Sequence, residues 1–250
     1  MNNKNVFTSS KWIFEVSKRF SVVDKSGRSA VTSFLSTVGI CLGVMTLIVV
    51  VSVMNGFQMS FINPIMEISS YHARISNVPI EQEIELIDFC VNNKDVIAIS
   101  PFYETQALMV SEEGSEAVGI IRGVKSDIYK NDIGFQNELK IMYGSFDLKD
   151  ENSIILGYSL AKKLGANVGS TINLLAMAGG KDVSLISQHR EFVVTGIFKC
   201  GYIDINESFA FVNTTAAKKY FGKDSKVTYG IKLQNYDNDS KFISKINKNF

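Results

Sequence analysis

The feature that most constrains this chain is a run of 38 residues, from Ser29 to Met66, without a single Asp, Glu, Lys or Arg. Its most apolar part, FLSTVGICLGVMTLIVVVSVM, covers the 21 residues from Phe34 to Met54. A helix rises about 1.5 Å per residue, so this length crosses the roughly 30 Å hydrocarbon core of a bilayer. The residues after it offer no small-residue cleavage site of the signal-peptide kind. The sequence therefore predicts an uncleaved transmembrane helix within residues 29–57.

The charges on either side of this span predict its orientation. Residues 1–28 carry six basic and two acidic side chains, a net charge of +4, and the whole chain carries +1, so the rest carries −3. Cytoplasmic flanks of membrane spans are enriched in Lys and Arg. We therefore expect a cytoplasmic N-terminus in the inner membrane. The large C-terminal part is then expected on the far side of the membrane, which in a bacterium with two membranes is the periplasm.

The cytoplasmic leader, residues 1–28, alternates apolar and charged residues in the segment KWIFEVSKRF, from Lys11 to Phe20. A Trp and basic residues on a short amphipathic helix favour the headgroup region of a bilayer. We predict an interfacial helix here. The alternative is a basic leader that is simply solvated.

The part after the span, residues 58–250, alternates helix and strand patterns, which is typical of an α+β domain. We predict strands at residues 71–76, 96–100, 105–110, 117–124, 153–156, 171–177, 190–198, 208–212 and 227–234. We predict helices at residues 81–93, 159–164, 214–221 and 240–249. The order suggests a discontinuous α/β part, about residues 71–110 with 226–250, around a β-rich insertion.

Motifs for catalysis, metal binding or cofactor binding are missing from the sequence. It has neither a G-x-x-x-x-G-K-[ST] loop for ATP nor a G-x-S-x-G elbow for a nucleophilic serine. Two histidines, His72 and His189, are too few for a zinc cluster. The near-neutral charge gives no reason to expect nucleic acid as a partner. We therefore expect a non-enzymatic protein without a cofactor or a metal ion.

The three cysteines are too few for a disulfide scaffold. Cys41 lies within the predicted span, whereas Cys90 and Cys200 would both face an oxidising compartment. A disulfide between those two is chemically possible. Two separate buried thiols are the alternative.

The predicted span carries a G-x-x-x-G pair. Small residues at this spacing let a second helix approach closely. Continued at helical spacing, the pair gives a face that we predict to contact another helix or lipid chains, made of Gly39, Gly43, Leu47, Val50 and Met54. A chance match is the alternative, because glycine is frequent in spanning helices.

Several segments, in order, resemble the lipoprotein-releasing permeases of the LolC/LolE type. The stretch STVGICLGVMTLIVVVSVMNGF, Ser36 to Phe57, resembles their first transmembrane helix. Four further segments resemble the family in the same order: GIIRGV (119–124), ILGYSLAKKLGANVGSTINLL (155–175), FVVTGIFKCGY (192–202) and SFAFVNTTAAKKYF (208–221). The first and the last of these segments are far apart, so the resemblance extends over residues 36–221.

The resemblance implies a permease subunit of an ABC transporter that is similar to FtsX and to the macrolide exporter MacB. The expected fold is one N-terminal transmembrane helix followed by a MacB-type periplasmic α+β domain. The expected activity is extraction of lipoproteins from the inner membrane for a periplasmic carrier. The implied partners are a cytoplasmic ABC ATPase subunit, a second permease subunit, the lipoprotein substrate and the carrier. Acyl chains bind mainly by apolar burial, about 0.8 kcal/mol per methylene, so extraction needs an external energy source.

The resemblance also implies a loop that recruits the carrier. The corresponding segment here is AGGKDVSLISQH, residues 178–189. An exposed apolar tip could dock a partner, and we expect it to consist of Val183, Leu185 and Ile186. The segment lacks the Pro and Met-Gly elements of the family, so a plain hairpin loop is the alternative.

The chain departs from the family in two further ways. Asn206 stands where the family pattern has Asp. The family has four spanning helices, three of them after the periplasmic domain, whereas nothing after Phe57 is apolar enough to span a membrane. The chain therefore resembles the N-terminal portion of such a permease, with a periplasmic domain expected to be incomplete at its C-terminus. The alternatives are an FtsX-like permease that controls a cell-wall hydrolase and a single-pass anchored periplasmic binding or sensor domain.

Overall fold

The computed structural model describes residues 11–19, 28–176, 190–221, 226–234 and 242–246. The chain divides into two compact units, Met1–Gln58 and Met59–Phe250. The first unit is helical, and the second contains every strand among the described residues.

Helix α1 covers residues 11–19 and leaves Trp12 and Phe14 about 70% exposed. A helix in this part of the leader is therefore confirmed, while its position at a membrane surface stays a prediction. Helix α2 covers Arg28–Pro64. The helical segment Val31–Ser70 is the one helix among the described residues that is long and apolar enough to cross a membrane. The predicted helix is thus confirmed, and it extends beyond the predicted end at residue 57.

Two threonine side chains inside α2 form hydrogen bonds to the helix itself. The Thr37 hydroxyl donates to the Ser33 carbonyl over 2.9 Å, and the Thr46 hydroxyl donates to the Leu42 carbonyl over 2.8 Å. Such bonds to the preceding turn remove the need for water around a hydroxyl group. They suit a helix in an apolar medium.

The second unit begins with the end of this helix and continues through nine strands within the residues that the structure describes. The strands are β1 Ala73–Ser76, β2 Val96–Ser111, β3 Glu116–Val124, β4 Lys140–Gly144, β5 Ser153–Gly157, β6 Thr171–Ala176, β7 Glu191–Lys199, β8 Phe209–Asn213 and β9 Thr228–Leu233. The helices are α3 Ile80–Asn92, α4 Ile128–Asn131, α5 Ile133–Glu138, α6 Tyr158–Leu164, α7 Ile203–Ser208, α8 Thr214–Tyr220 and α9, residues 242–246.

Strands of the predicted β-rich insertion pair into a closed ring, in the order β2, β3, β8, β5, β7, β6 and back to β2. β6 closes the ring because it pairs with β2 and with β7, antiparallel in both cases. Closure leaves few unpaired strand edges. The ring encloses a hydrophobic core that includes Met109, Ile121, Leu156, Phe192 and Val212.

Strand β2 belongs to two substructures. Its second half, from Tyr103, pairs with β3 in the ring, and its first half, from Val96 to Phe102, pairs with β9. β9 also pairs with β1, which completes a small three-stranded sheet. Helix α3 and residues 242–246 pack on this sheet, because Leu86, Cys90, Phe242 and Ile246 share one buried cluster with Ile231. The first part of the predicted discontinuous α/β part thus ends at Phe102 and not at residue 110, because residues 103–110 pair within the ring.

Two details of the secondary-structure prediction were wrong. The strands predicted at 96–100 and 105–110 are one continuous strand, β2. The short elements β4, α4, α5 and α7 were not predicted. The three helices have six residues or fewer, less than two turns, which is too short for a helical repeat to stand out.

The structure answers whether a disulfide joins Cys90 and Cys200. Cys90 and Cys200 are free, buried thiols in different hydrophobic clusters, so no disulfide joins them.

The Asn206 amide donates to the carbonyls of Cys200 and Tyr202, and its oxygen accepts from the Cys200 backbone N–H. A carboxylate could not make both donations, which explains an Asn at this position.

Candidate functional site

The predicted helix and lipid face lies on α2. Gly39, Gly43, Leu47, Val50 and Met54 fall within one narrow arc of the helix, as their spacing requires. A Cβ atom added at either glycine meets nothing within 4 Å, and the three larger residues are 54–63% exposed. The face is open to a second helix or to lipid. The other faces of this helix are also exposed, so this one keeps its status as a prediction.

The predicted docking residues Val183, Leu185 and Ile186 lie outside the described residues. The strands on either side of their segment, β6 and β7, are antiparallel neighbours, with Ile172 opposite Phe192. Directly after the segment, the Arg190 guanidinium lies 4.2 Å from the Tyr220 ring centroid and donates to the Tyr220 carbonyl.

A third group of residues, not singled out from the sequence, surrounds the end of the helix. After Pro64 the helix continues as a π-helix, Ile65–Ser70, and Tyr71 then adopts a φ of 57°. A positive φ is unusual for a residue other than Gly, Asn or Asp. It turns the chain sharply into β1. π-helical segments are frequent at functional sites.

Arg122 of β3 holds this helix end. Its side chain is fully buried, and it donates to the carbonyls of Ile68 and Ser69, the latter over 2.8 Å. Its Nε donates over 2.8 Å to Oε2 of Glu104, which lies directly opposite on β2. The last carbonyls of a helix have no partner within the helix. Arg122 supplies partners for two of them.

Aromatic rings form the walls around the same guanidinium. The Arg122 carbon Cζ lies 4.4 Å from the Phe102 ring centroid, 5.0 Å from that of Phe209 and 5.7 Å from that of Tyr71. Arginine is suited to this position because its flat, weakly hydrated group stacks on aromatic faces while its edge donates hydrogen bonds.

Arg74 of β1 reinforces the same contact from the more exposed side. Its Nε donates to the Ser70 carbonyl over 3.0 Å, and its Nη2 donates to that of Ser69. It also forms an ion pair with Glu104, with Nη1 and Oε1 separated by 3.6 Å. Burial, and secondarily the charge of Arg122, lower the pKa of Arg74.

Lys232 of β9 contacts the helix end from the three-stranded sheet. Its Nζ lies 2.6 Å from Oε2 of Glu67 on the π-helix and 2.6 Å from Oδ2 of Asp132. Lys232 and Asp132 are buried, and Glu67 is about three-quarters buried. The other carboxylate oxygen of Asp132 accepts from the Phe135 N–H and caps α5. One ammonium group therefore links β9, the π-helix and α5.

Tyr71 lies between the two cations. Its ring centroid is 5.7 Å from the Arg122 guanidinium and 5.6 Å from the Lys232 ammonium, and it stacks on Phe102. Burial raises the pKa of Tyr71, although the positive charge of Arg122 opposes this effect. The phenol is therefore neutral at physiological pH.

The sequence does contain a signal for this group. Arg122 is the one charged residue in the strand segment AVGIIRGV, and Lys232 is the one charged residue in TYGIKL. A lone cation within a strongly apolar strand is buried only when it is paired. The sequence cannot name the partners, which lie 18, 54 and 165 positions away.

The described residues contain no cluster of three or more His, Cys, Asp or Glu side chains that could hold a metal ion. His72 uses its Nδ1 atom to accept a hydrogen bond from the Leu233 N–H over 3.2 Å. It therefore has a structural partner on β9, the central strand of the small sheet.

Comparison with known proteins shows which proteins this chain resembles along its sequence. The chain is 29% identical over 216 residues to the lipoprotein-releasing system transmembrane protein LolC of Neisseria meningitidis serogroup B, covering 84% of this chain and 51% of that protein. It is 30% identical over 218 residues to LolC of Xylella fastidiosa strain Temecula1, covering 85% and 52%. It is 28% identical over 214 residues to LolE of Haemophilus influenzae, covering 82% and 50%. The chain spans about half the length of these relatives.

The family described as the MacB-like periplasmic core domain matches residues 33–248. The match begins inside α2 and continues beyond α9, so it includes most of the spanning helix, the ring, the small sheet and the residues around Arg122. With nearly the whole chain inside the match, this protein belongs to the MacB-like periplasmic core domain family.

Proposed function

We propose that this chain belongs to a permease subunit of an ABC transporter that extracts lipoproteins from the inner membrane. The observation that carries the proposal is the similarity to LolC and LolE proteins over more than four-fifths of the chain. An apolar helix followed by a MacB-like core domain supports it. ATP hydrolysis takes place on a separate cytoplasmic subunit.

The proposal includes a location and a set of partners. The N-terminus lies in the cytoplasm, because residues 1–28 carry a net charge of +4. The second unit lies in the periplasm. The partners are an ABC ATPase subunit, a second permease subunit, the lipoprotein and a periplasmic carrier. The face from Gly39 to Met54 contacts a helix or acyl chains, and the segment with Val183, Leu185 and Ile186 docks the carrier.

Affinity purification followed by reconstitution tests the proposal. The transporter is purified through a tag on this protein and placed in lipid vesicles with a lipoprotein. We expect an ABC ATPase to co-purify and ATP to drive the lipoprotein from the vesicles onto the carrier. A control with a non-hydrolysable ATP analogue should release none.

Two other results would identify the alternatives. Recovery of an ATPase together with a cell-wall hydrolase, without lipoprotein release, would indicate an FtsX-like permease. Recovery without any ATPase would contradict a transport role and favour an anchored binding or sensor domain.

A further inference from the structure

Side chains from two separate substructures hold the end of the membrane helix. Arg122 comes from β3 of the closed ring, whereas Lys232 comes from β9 of the three-stranded sheet. Both reach the π-helix Ile65–Ser70. Arg122 binds its backbone through the carbonyls of Ile68 and Ser69, and Lys232 binds its side chain Glu67. We call these two contacts, with Glu104 and Asp132, the helix joint.

The joint resists displacement because its charges are removed from water. The side chains of Arg122 and Lys232 are 0% and 4% exposed. Movement of the helix end would remove the Ile68 and Ser69 carbonyls from Arg122 and the Glu67 carboxylate from Lys232, so each buried cation would keep only one carboxylate partner. Such a loss of acceptors around a buried charge is energetically costly. Bonds that involve charged groups are also stronger than neutral ones. A helix end held this way moves together with the strands that hold it.

The two contacts differ in what they recognise. Arg122 binds main-chain carbonyls, whose positions depend on the helical form of residues 65–70. Its flat guanidinium presents several donors in a fixed plane and can bind two carbonyls and a carboxylate at once. Lys232 instead bridges two carboxylates, on the π-helix and at the N-terminus of α5. Arg122 therefore holds the helix end through its backbone carbonyls. Lys232 holds it through the Glu67 side chain and links it to the N-terminus of α5.

We propose that Arg122 and Lys232 are positioning residues that transmit movement between the spanning helix and the periplasmic unit during lipoprotein release. The proposal rests on the transport function proposed above. A transporter with a loosened joint hydrolyses ATP, because the cytoplasmic subunit is intact. It releases little lipoprotein, because the movement is not passed to the periplasmic unit.

The test compares Arg122→Met and the milder Glu104→Gln with a matched control, Lys219→Met. Lys219 also forms an ion pair with a glutamate, Glu151, but both side chains are about half exposed. Each variant is measured in the assembled transporter in lipid vesicles. The readouts are the ATPase rate, the lipoprotein release rate and hydrogen exchange of the amides in residues 65–71.

For Arg122→Met we expect release to fall about tenfold or more while the ATPase rate stays within about twofold, since one charge-assisted contact corresponds to at least that factor. Exchange at residues 65–71 should rise about tenfold. Glu104→Gln should show the same pattern more weakly, because the amide keeps the shape and one acceptor. Lys219→Met should resemble the unsubstituted transporter.

Other results overturn the proposal. If release and ATPase activity fall in parallel in both Arg122→Met and Glu104→Gln, the residues act only in folding or assembly. If release is unchanged in Arg122→Met, the joint does not transmit movement. If the unsubstituted transporter releases no lipoprotein, the proposed function has failed instead. Hydrogen exchange then still decides whether Arg122 holds the helix end, and unchanged exchange in Arg122→Met refutes the joint itself.

Discussion

Arg122 and Glu104 lie directly opposite each other on β3 and β2, and the Arg122 Nε donates to the Glu104 carboxylate over 2.8 Å. The carboxylate neutralises a cation that is fully buried among aromatic rings. With its charge balanced in this way, the guanidinium can use its remaining donors on the carbonyls at the end of the π-helix. The pair thus joins two neighbouring strands of the ring, β2 and β3, to the end of the membrane helix.

Replacing Arg122 should destabilise the second unit strongly. Arg122→Met leaves two helix-end carbonyls and the partly buried Glu104 carboxylate without their main donor, so we expect a loss of about 3 kcal/mol in the free energy of unfolding. Urea unfolding of the detergent-solubilised protein, followed by circular dichroism, measures this change in the free energy of unfolding. The exposed pair offers the control, because Lys219→Met should change the value by less than about 1 kcal/mol. Equal effects of the two variants would contradict the role given to Arg122.

Asn206→Asp should destabilise the turn between β7 and α7. The amide group donates to two carbonyls, at 2.9 and 3.0 Å, and a carboxylate would face those oxygens without a donor. We expect a loss of about 2 kcal/mol at neutral pH, measured by chemical unfolding. The matched substitution Asn167→Asp, at an exposed position, should have little effect. A variant as stable as the parent protein would show that these hydrogen bonds contribute nothing.

Gly43→Leu should weaken association of the span with a partner helix. The added side chain would block close approach at the small end of the face. We expect recovery of the partner subunits in a pull-down to fall severalfold. Ser52→Leu adds bulk on the opposite side of α2 and should leave recovery unchanged. Equal recovery for both variants would argue against this face as an interface.

Leu185→Asp should weaken binding of the carrier at least about tenfold, because it removes apolar contact area and places a charge at the predicted docking tip. A pull-down with purified carrier at several concentrations measures the effect. Ser187→Asp introduces the same charge in the same segment without removing an apolar side chain. Comparable binding by the parent and Leu185→Asp would exclude a docking role for this residue.

The two buried thiols should make stability depend on alkaline pH. Burial raises the pKa of Cys90 and of Cys200 from 9.0 to about 11. The unfolded chain therefore loses these protons at lower pH than the folded chain, so the thiols destabilise the folded state as the pH rises from 9 to 11. Below pH 9 they have no such effect.

Urea midpoints measured between pH 8 and 11 test this dependence. We expect the midpoint to fall in the parent protein and to fall less steeply in the double variant Cys90→Ala/Cys200→Ala. Identical pH dependence in both proteins would show that the thiols titrate as freely in the folded state as in the unfolded one.

Much of the architecture follows from local sequence patterns. The charge-free run determined α2, because a helix of apolar residues satisfies its own backbone groups without water. Alternating apolar residues marked most strands, and the order of elements indicated the discontinuous α/β part. The helices α4, α5 and α7 have less than two turns each, which is too short for a helical repeat to stand out.

The helix joint illustrates what a sequence cannot specify alone. The isolated cations Arg122 and Lys232 show that each needs a partner, since a buried charge must be paired. The choice of Glu104, Glu67, Asp132 and two helix-end carbonyls depends on strand register, on closure of the ring and on the position of the π-helix. Those features arise from contacts between distant parts of the chain. Local sequence therefore determined the membrane helix and most strands, whereas only the tertiary structure decided where the helix ends and which side chains hold it.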